Sequence, residues 1–211
     1  MPRLPHSEKI PKFDFNIDKA GGISFEITPL AAKAELLKLK QQPRRDNFYV
    51  LFWITGGTGV YMIDFQQYPL HAGMLFCIAP GQVHYWHLTS PITGIATLFL
   101  PDFLVEQHRT SFPSDFSIFD WNTSAGFPLD ATDQAKLETL LSLLHDEYEA
   151  VDTFNREDAI RCTLHLLLIH AQRASTLVVT SPPTAGDALL HMYLMLIDKH
   201  YLHHKKVQDY A

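Results

Sequence analysis

The sequence predicts a mainly β protein with α-helical additions: a small β-barrel or sandwich followed by helices. Three observations predict it. Residues 47–100 are a succession of short aromatic and β-branched runs, broken about every 8–12 residues by turns containing Gly or Pro. Beyond Pro101 that pattern stops, and leucines recur three or four positions apart, the spacing of one helical face. With 211 residues, 46% hydrophobic and 19% charged, the chain can bury one sizeable core and is not disordered by composition.

Residues 1–22 mix Pro, Lys and polar residues without a period and read as an N-terminal arm. Ile23 to Leu30 (ISFEITPL) alternates as a short strand. Ala31 to Lys40 has helical propensity, which a strand context can override. Phe48 to Ile54 (FYVLFWI) is a strand, and Gly56-Gly57-Thr58-Gly59 predicts a hairpin with Val60 to Phe65 as its partner. Gln66-Gln67 reads as a tight connection to a strand at Tyr68 to Leu70. Met74 to Ile78, Val83 to Leu88 and Thr93 to Leu100 are further strands, separated by His71-Ala72-Gly73, Ala79-Pro80-Gly81-Gln82 and Thr89-Ser90-Pro91. Asp102 to Arg109 is a short helix with Pro101 and Asp102 suited to its start. Asp115 to Pro128 is aromatic and irregular. Helices follow from Ala131 to Val151, from Arg156 to Ser175, and, after Pro182-Pro183, from Asp187 to Tyr201. His203 to Ala211 opens one more short helix.

The net charge of −6 hides a segmentation: +4 over residues 1–45, −12 over 46–158 and +2 over 159–211. So acidic a middle disfavours contact with phosphate backbones there. Cys77 and Cys162 are too few for a disulfide framework and lack metal-knuckle spacing, which fits a reducing cytoplasm. The opening MPRLPHSEKIP is not a charged-then-apolar leader, and no apolar stretch is long enough to span a membrane, so no membrane partner is expected.

Twelve histidines raise the question of a metal. His84 and His87 are three apart on a predicted strand, so their side chains point to opposite faces. The stretch VYMIDFQQYP offers no His and only Asp64 as a carboxylate. Three or four convergent ligands cannot be assembled, and neither a metal nor another cofactor is expected. The glycine cluster lacks the Lys-Ser/Thr of a phosphate loop and joins strand to strand, which favours a turn. There is no Gly-x-Ser-x-Gly, and Cys77, between Phe76 and Ile78, reads as an inert buried thiol, so no catalytic residue is expected.

The aromatic density of the β region is more informative. Period-2 alternation puts Tyr49, Leu51 and Trp53 on one face of their strand, and His84 with Trp86 on one face of theirs. If those faces line the barrel, Tyr49, Trp53, His84 and Trp86 form an aromatic pocket with one imidazole, suited to a small molecule. The other reading is that they fill the barrel's core. Leu137, Leu141, Leu144 and Tyr148 make a helical stripe, widened by Leu140 and Leu143. Such a stripe packs on its own domain, pairs with a second copy, or does both.

Gly59 to Leu70 (GVYMIDFQQYPL) and Gly73 to Trp86 (GMLFCIAPGQVHYW) resemble the N-terminal cupin-like sensor domain of AraC-family transcriptional regulators. Pro80-Gly81-Gln82-Val83-His84 is the most specific part: the second half of the cupin pattern without its metal-binding first half. Ala188 to Ala211 resembles the opening of the AraC-type DNA-binding domain, with Val207, Tyr210 and Ala211 on the first helix of its first helix-turn-helix. The resemblance implies a cupin-like (jelly-roll) barrel over residues 23–110 that binds an effector, and an antiparallel helix pair over 111–180 that dimerises. Residues 187–211 would be the first helices of a truncated DNA-binding domain. An arm able to cover the pocket is implied too, with Arg44 and Arg45 near the entrance and His84 and Trp86 on the ligand-contacting strand.

The expected partners are therefore a small-molecule effector (a sugar or an aromatic metabolite), a second copy of the chain through Leu137, Leu141, Leu144 and Tyr148, and DNA only through the full-length protein, since neither recognition helix falls within these residues. The alternative is a cupin enzyme of the isomerase or dioxygenase class, metal-dependent or metal-independent. The missing His-x-His and Glu count against it.

Overall fold

The computed structural model describes residues 10–17, 22–33, 42–64, 66–104, 116–120, 123–150 and 153–177. The helices expected from Asp187 and from His203 lie outside them, as does most of the segments expected to be helical at Ala31 to Lys40 and Asp102 to Arg109. Ten strands are described: β1 (Lys12–Phe13), β2 (Phe25–Pro29), β3 (Arg44–Asp46), β4 (Tyr49–Gly56), β5 (Gly59–Ile63), β6 (Gln66–Leu70), β7 (Met74–Ile78), β8 (Val83–Leu88), β9 (Thr93–Phe99) and β10 (Gly126–Pro128). Two helices follow, α1 (Ala131–Glu149) and α2 (Arg156–Leu177). The expected architecture, mainly β with α, is what the chain adopts.

The strands form two five-stranded sheets, β1-β3-β8-β5-β6 and β10-β7-β4-β9-β2. From β4 to β9 the chain changes sheet at every connection except β5 to β6, which is the jelly-roll habit. Inner side chains of both sheets meet in one core: Val50, Phe52 and Ile54 of β4, Tyr61 and Ile63 of β5, Phe76 and Ile78 of β7, and Trp86 of β8. The second sheet has another core on its outer face. There Leu51 and Trp53 of β4, Leu75 and Cys77 of β7, and Phe25 and Ile27 of β2 pack against Leu137, Leu141 and Leu144 of α1 and Leu164, Leu167 and Leu168 of α2. This explains why FYVLFWI and MLFCI run apolar without alternating.

Gly56-Gly57-Thr58-Gly59 is not a hairpin. β4 pairs with β7 and β9, whereas β5 pairs with β6 and β8, so the glycines carry the chain from one sheet to the other. The crossing is tight. Gly57 has φ +92°, and a Cβ there would lie 2.4 Å from the carbonyl oxygen of Pro91. The Thr58 carbonyl accepts from the backbone of Thr89 at 2.9 Å, and the Thr58 N–H donates to Ser90 Oγ at 2.9 Å. The β5–β6 turn also falls earlier than Gln66-Gln67, which belong to β6. Asp64 takes the turn at φ 45°, a left-handed backbone that Asp tolerates better than most residues.

Three short strands escape a propensity reading. β3 is Arg-Arg-Asp, and β1 and β10 have two and three residues. β1 runs parallel to β3, so part of the expected loose arm is laddered onto a sheet. β10 pairs with β7.

The helices begin and end for identifiable reasons. The Asp130 side chain accepts from the backbone N–H of Asp133 at 2.8 Å, capping α1. At its other end Arg156 donates to the carbonyls of Glu147 and Tyr148, which lack intrahelical partners. On α2, Gln172 accepts from the Ile118 N–H at 3.0 Å and Arg161 donates to the Phe103 carbonyl at 3.0 Å, tying the irregular segment after β9 to the helix. Among the described residues no helix is long and apolar enough to cross a membrane.

The crossing at Gly57 supplies a first prediction. Gly57→Ala adds a backbone clash to a left-handed φ and should destabilise the fold by about 1–3 kcal/mol. Gly81→Ala, also at positive φ but with nothing within 4 Å of its Cβ, should lose less. Urea unfolding of the two variants gives the comparison.

Candidate functional site

One end of the otherwise apolar barrel interior holds a buried polar chain. β8 delivers His84 and Trp86 to the inner face, and β5 delivers Tyr61 opposite Trp86 and Ile63 opposite His84. β3 places Arg44 opposite His84, so Arg44 shares that inner face, as does Asp46 two residues on. Arg44, Asp46 and His84 are 3%, 1% and 1% exposed. The Arg44 guanidinium lies 2.6 Å from Asp46 Oδ2, the same oxygen is 3.2 Å from His84 Nε2, and His84 Nδ1 is 2.8 Å from the Tyr61 hydroxyl.

Burial raises the Tyr61 phenol well above its ordinary value, with Arg44 opposing and Asp46 reinforcing the shift. The phenol therefore keeps its proton and can donate it to Nδ1. That assignment puts the ring's own hydrogen on Nε2, aimed at the Asp46 carboxylate. Both imidazole nitrogens are thus engaged by protein groups. Arg44 Nε finds no hydrogen-bond partner among the described residues.

The Pro80-Gly81-Gln82-Val83 run positions this chain. Gly81, at φ +87°, donates its N–H to the Asp46 carbonyl at 2.8 Å. Gln82 accepts from the Ala79 N–H at 2.6 Å and donates to Asp64 at 2.8 Å. Asp64 also accepts from the Val83 N–H at 2.9 Å. Burial still holds the Asp64 carboxyl above the usual carboxylate range, although these bonds and the nearby charge of Arg45 pull it down. The motif is a clamp that fixes the start of β8, and hence the position of His84.

The N-terminal segment covers this end. The Arg44 guanidinium stacks 4.9 Å over the ring of Phe13, and Phe15 packs against Phe48 at 5.6 Å. Arg45 donates its N–H to Pro11, Asn47 donates its own to Phe13, and the Asn47 side chain accepts from the Phe15 N–H.

Of the four residues proposed from sequence as ligand-binding, His84 and Trp86 face the barrel interior and Tyr49 and Trp53 do not. Odd-numbered residues of β4 point to the helices, because the inner face is taken by Val50, Phe52 and Ile54. Tyr49 stacks on Phe99 at 5.3 Å and meets Phe119 edge-on at 4.6 Å. In the middle of the barrel the rings fill the space: Phe52, Tyr61, Phe76 and Trp86 touch with centroids 5.0–6.1 Å apart. The expected stripe of Leu137, Leu141 and Leu144 is buried within the chain's own second core, and Tyr148 meets Phe25 edge-on at 5.9 Å. Leu143, by contrast, is 46% exposed. Sequence reasoning missed Asp46 and Tyr61 and placed Arg44 at an entrance. A charged pair at i and i+2 preceding an aromatic strand was the available sign of an inward-facing polar face.

Fold and site together define a jelly-roll barrel with a buried polar chain, backed by a helix pair. The family model for the AraC-like ligand binding domain matches residues 36–169, and the chain belongs to that family, the effector-binding domains of transcription regulators. No curated protein matches the sequence. Among solved structures, the AraC-like transcriptional activator CuxR is similar at 10% identity and a TM-score of 0.47, covering 73% of this chain and 51% of that one. Apo ToxT from Vibrio cholerae is similar at 12% identity and a TM-score of 0.40, covering 89% of this chain and 69% of that one. Acireductone dioxygenase from Bacillus anthracis is similar at 17% identity and a TM-score of 0.29, covering 40% of this chain and 54% of that one. The chain thus spans about half the length of CuxR.

Removing one member of the buried ion pair strands the other. Asp46→Asn should destabilise the domain by about 3–5 kcal/mol, whereas joint replacement, Arg44→Met with Asp46→Leu, should lose less than that single change. Urea titrations of the three proteins check the order.

Proposed function

We propose that the chain is the effector-sensing and dimerisation region of an AraC-family transcription regulator and not an enzyme. The observation that carries this reading is the chain Tyr61–His84–Asp46–Arg44, buried under the N-terminal segment at one end of an apolar barrel. Such a chain is unfavourable to bury with a polar group unsatisfied, and Arg44 Nε, without a partner among the described residues, is a donor that a ligand could engage. A small molecule with hydroxyl or carboxylate groups and a flat or ring-shaped body, a sugar or an aromatic metabolite, suits that mixture. It would reach the chain as β1 lifts from β3, since ring packing closes the middle of the barrel. Both nitrogens of His84 are hydrogen-bonded, which disfavours the metal-centred enzyme reading.

In this reading residues 187–211 begin the DNA-binding domain, and the cytoplasm is the setting. The effector shifts an equilibrium between arm and barrel that is relayed through the helices. Dimerisation uses the outer edge of α1 around Leu143, since Leu137, Leu141 and Leu144 are committed inside.

A thermal-shift panel of sugars and aromatic acids tests the sensor. A hit should raise the midpoint of the wild-type chain and lose most of that effect in Tyr61→Phe and Trp86→Phe, which keep an aromatic ring at each position. A panel whose hits ignore both changes would sink the barrel site. Sedimentation at tens of micromolar should show a dimer that Leu143→Glu converts to monomer; a wild-type monomer would remove that claim.

A further inference from the structure

A second pair of buried polar groups lies on the opposite side of the helix-facing sheet. A narrow gap runs between that sheet and the helices, lined by Trp53, Leu75, Thr97, Leu137, Leu141 and Leu167 among others. In this conformation it is too narrow for a water molecule. Two of its lining residues carry a buried polar atom, Trp53 Nε1 and Thr97 Oγ1, that has no hydrogen-bond partner among the described residues. Trp53 is 7% exposed and Thr97 1%. Leu51 stands opposite Thr97 and Trp53 opposite Ile95, so Trp53 and Thr97 are diagonal neighbours on one sheet face. A buried N–H or O–H without a partner is unfavourable, and Phe or Val would fill these positions without that penalty. Both groups therefore call for a polar atom between the sheet and the helix pair.

We propose that this gap is a second ligand site, separate from the barrel interior, that opens to take a small neutral molecule with an apolar body and one hydroxyl or carbonyl head. Trp53 Nε1 donates to the head, and Thr97 Oγ1 exchanges a second hydrogen bond with it. The body lies among Leu75, Leu137, Leu141 and Leu167. No lining residue carries a charge, so a carboxylate or ammonium group would be buried unpaired and is excluded. The open form is a minor state of the free protein, and binding is weakened by that fraction. Occupancy separates α1 and α2 from the sheet. The site therefore acts on the posture of the helices without touching His84 or Arg44.

The indoles of Trp53 and Trp86 lie on opposite faces of the helix-facing sheet and report on the two sites separately. The 15N-labelled chain is titrated with benzyl alcohol, and with toluene as the headless control, the indole resonances being assigned from Trp53→Phe and Trp86→Phe. Benzyl alcohol should shift the Trp53 indole N–H saturably and leave that of Trp86 in place. Thr97→Val keeps the shape of the side chain and removes only its hydroxyl. It should weaken benzyl alcohol about three- to tenfold and leave toluene unchanged. A shift confined to Trp86 assigns the probe to the barrel and overturns this proposal while leaving the sensor reading intact. No saturable shift up to the solubility of the probe, or unchanged affinity in Thr97→Val, also overturns it.

Discussion

The sheet β10-β7-β4-β9-β2 is buried on both faces, and a strand in such a sheet cannot alternate polar with apolar side chains. Val50, Phe52 and Ile54 fill the barrel while Leu51 and Trp53 support the helices. The helix pair thereby acquires a fixed seat: Leu137, Leu141, Leu144, Leu164, Leu167 and Leu168 all settle on one side of the same strands. Each fully buried leucine contributes about 1.5–3 kcal/mol to that seat before the entropy of ordering it is subtracted. The sheet is also a shared wall. A displacement of Phe52 or Phe76 moves the backbone that carries Leu51, Trp53 and Leu75, so the barrel interior and the helices are one strand thickness apart. Coupling two sites requires an element that both can bias, and this sheet meets both the barrel interior and the helices.

The first sheet is built differently. Its outer face is partly exposed, with Arg45 and His87 in solvent, and its inner face mixes Tyr61, Ile63 and Trp86 with the buried charges of Arg44 and Asp46. Arg44 and Asp46 sit on β3, a three-residue strand near the sheet's edge that has little propensity of its own. Hydrogen bonds from Gly81 and Arg45 and the ladder with β1 hold it there. The Gln82 clamp explains why Pro80-Gly81-Gln82-Val83-His84 is so recognisable: Gly81, Gln82 and Val83 each make a fixing hydrogen bond, and together they deliver one imidazole to the inside.

What the sequence disclosed follows the range of the interactions. Met74 to Ile78 and Val83 to Leu88 were legible as short apolar and aromatic runs bounded by turn residues, and both helices by their period and capping, as with Asp130 at the start of α1. The glycine cluster was misread because a tight turn looks the same whether it joins two strands of one sheet or passes between two sheets. Only the pairing of β4 with β7 and β9, and of β5 with β6 and β8, distinguishes them, and most of those partners are distant in sequence. Trp53 was assigned to the wrong side for a related reason: when both faces of a strand are apolar, alternation separates two sets of residues without saying which set faces inward. The leucine stripe was legible as a stripe, but its partner was not, since a helix face looks alike whether it meets its own sheet or a second copy. Arg44 and Asp46 were illegible as a site because charged residues are seldom buried, and pairing across β3 and β8 is what permits it.

The ladder that roofs the polar chain comprises only two paired positions, Lys12 with Arg45 and Phe13 with Asp46. So short an edge costs less to open than the sandwich beneath it. Any molecule that reaches Arg44 through it must wait for that opening. Its association rate then levels off with concentration at the opening rate, below the encounter limit set by diffusion. In the proposed sensor the length of β1 would set the tempo of the response, independently of how tightly the molecule is finally held.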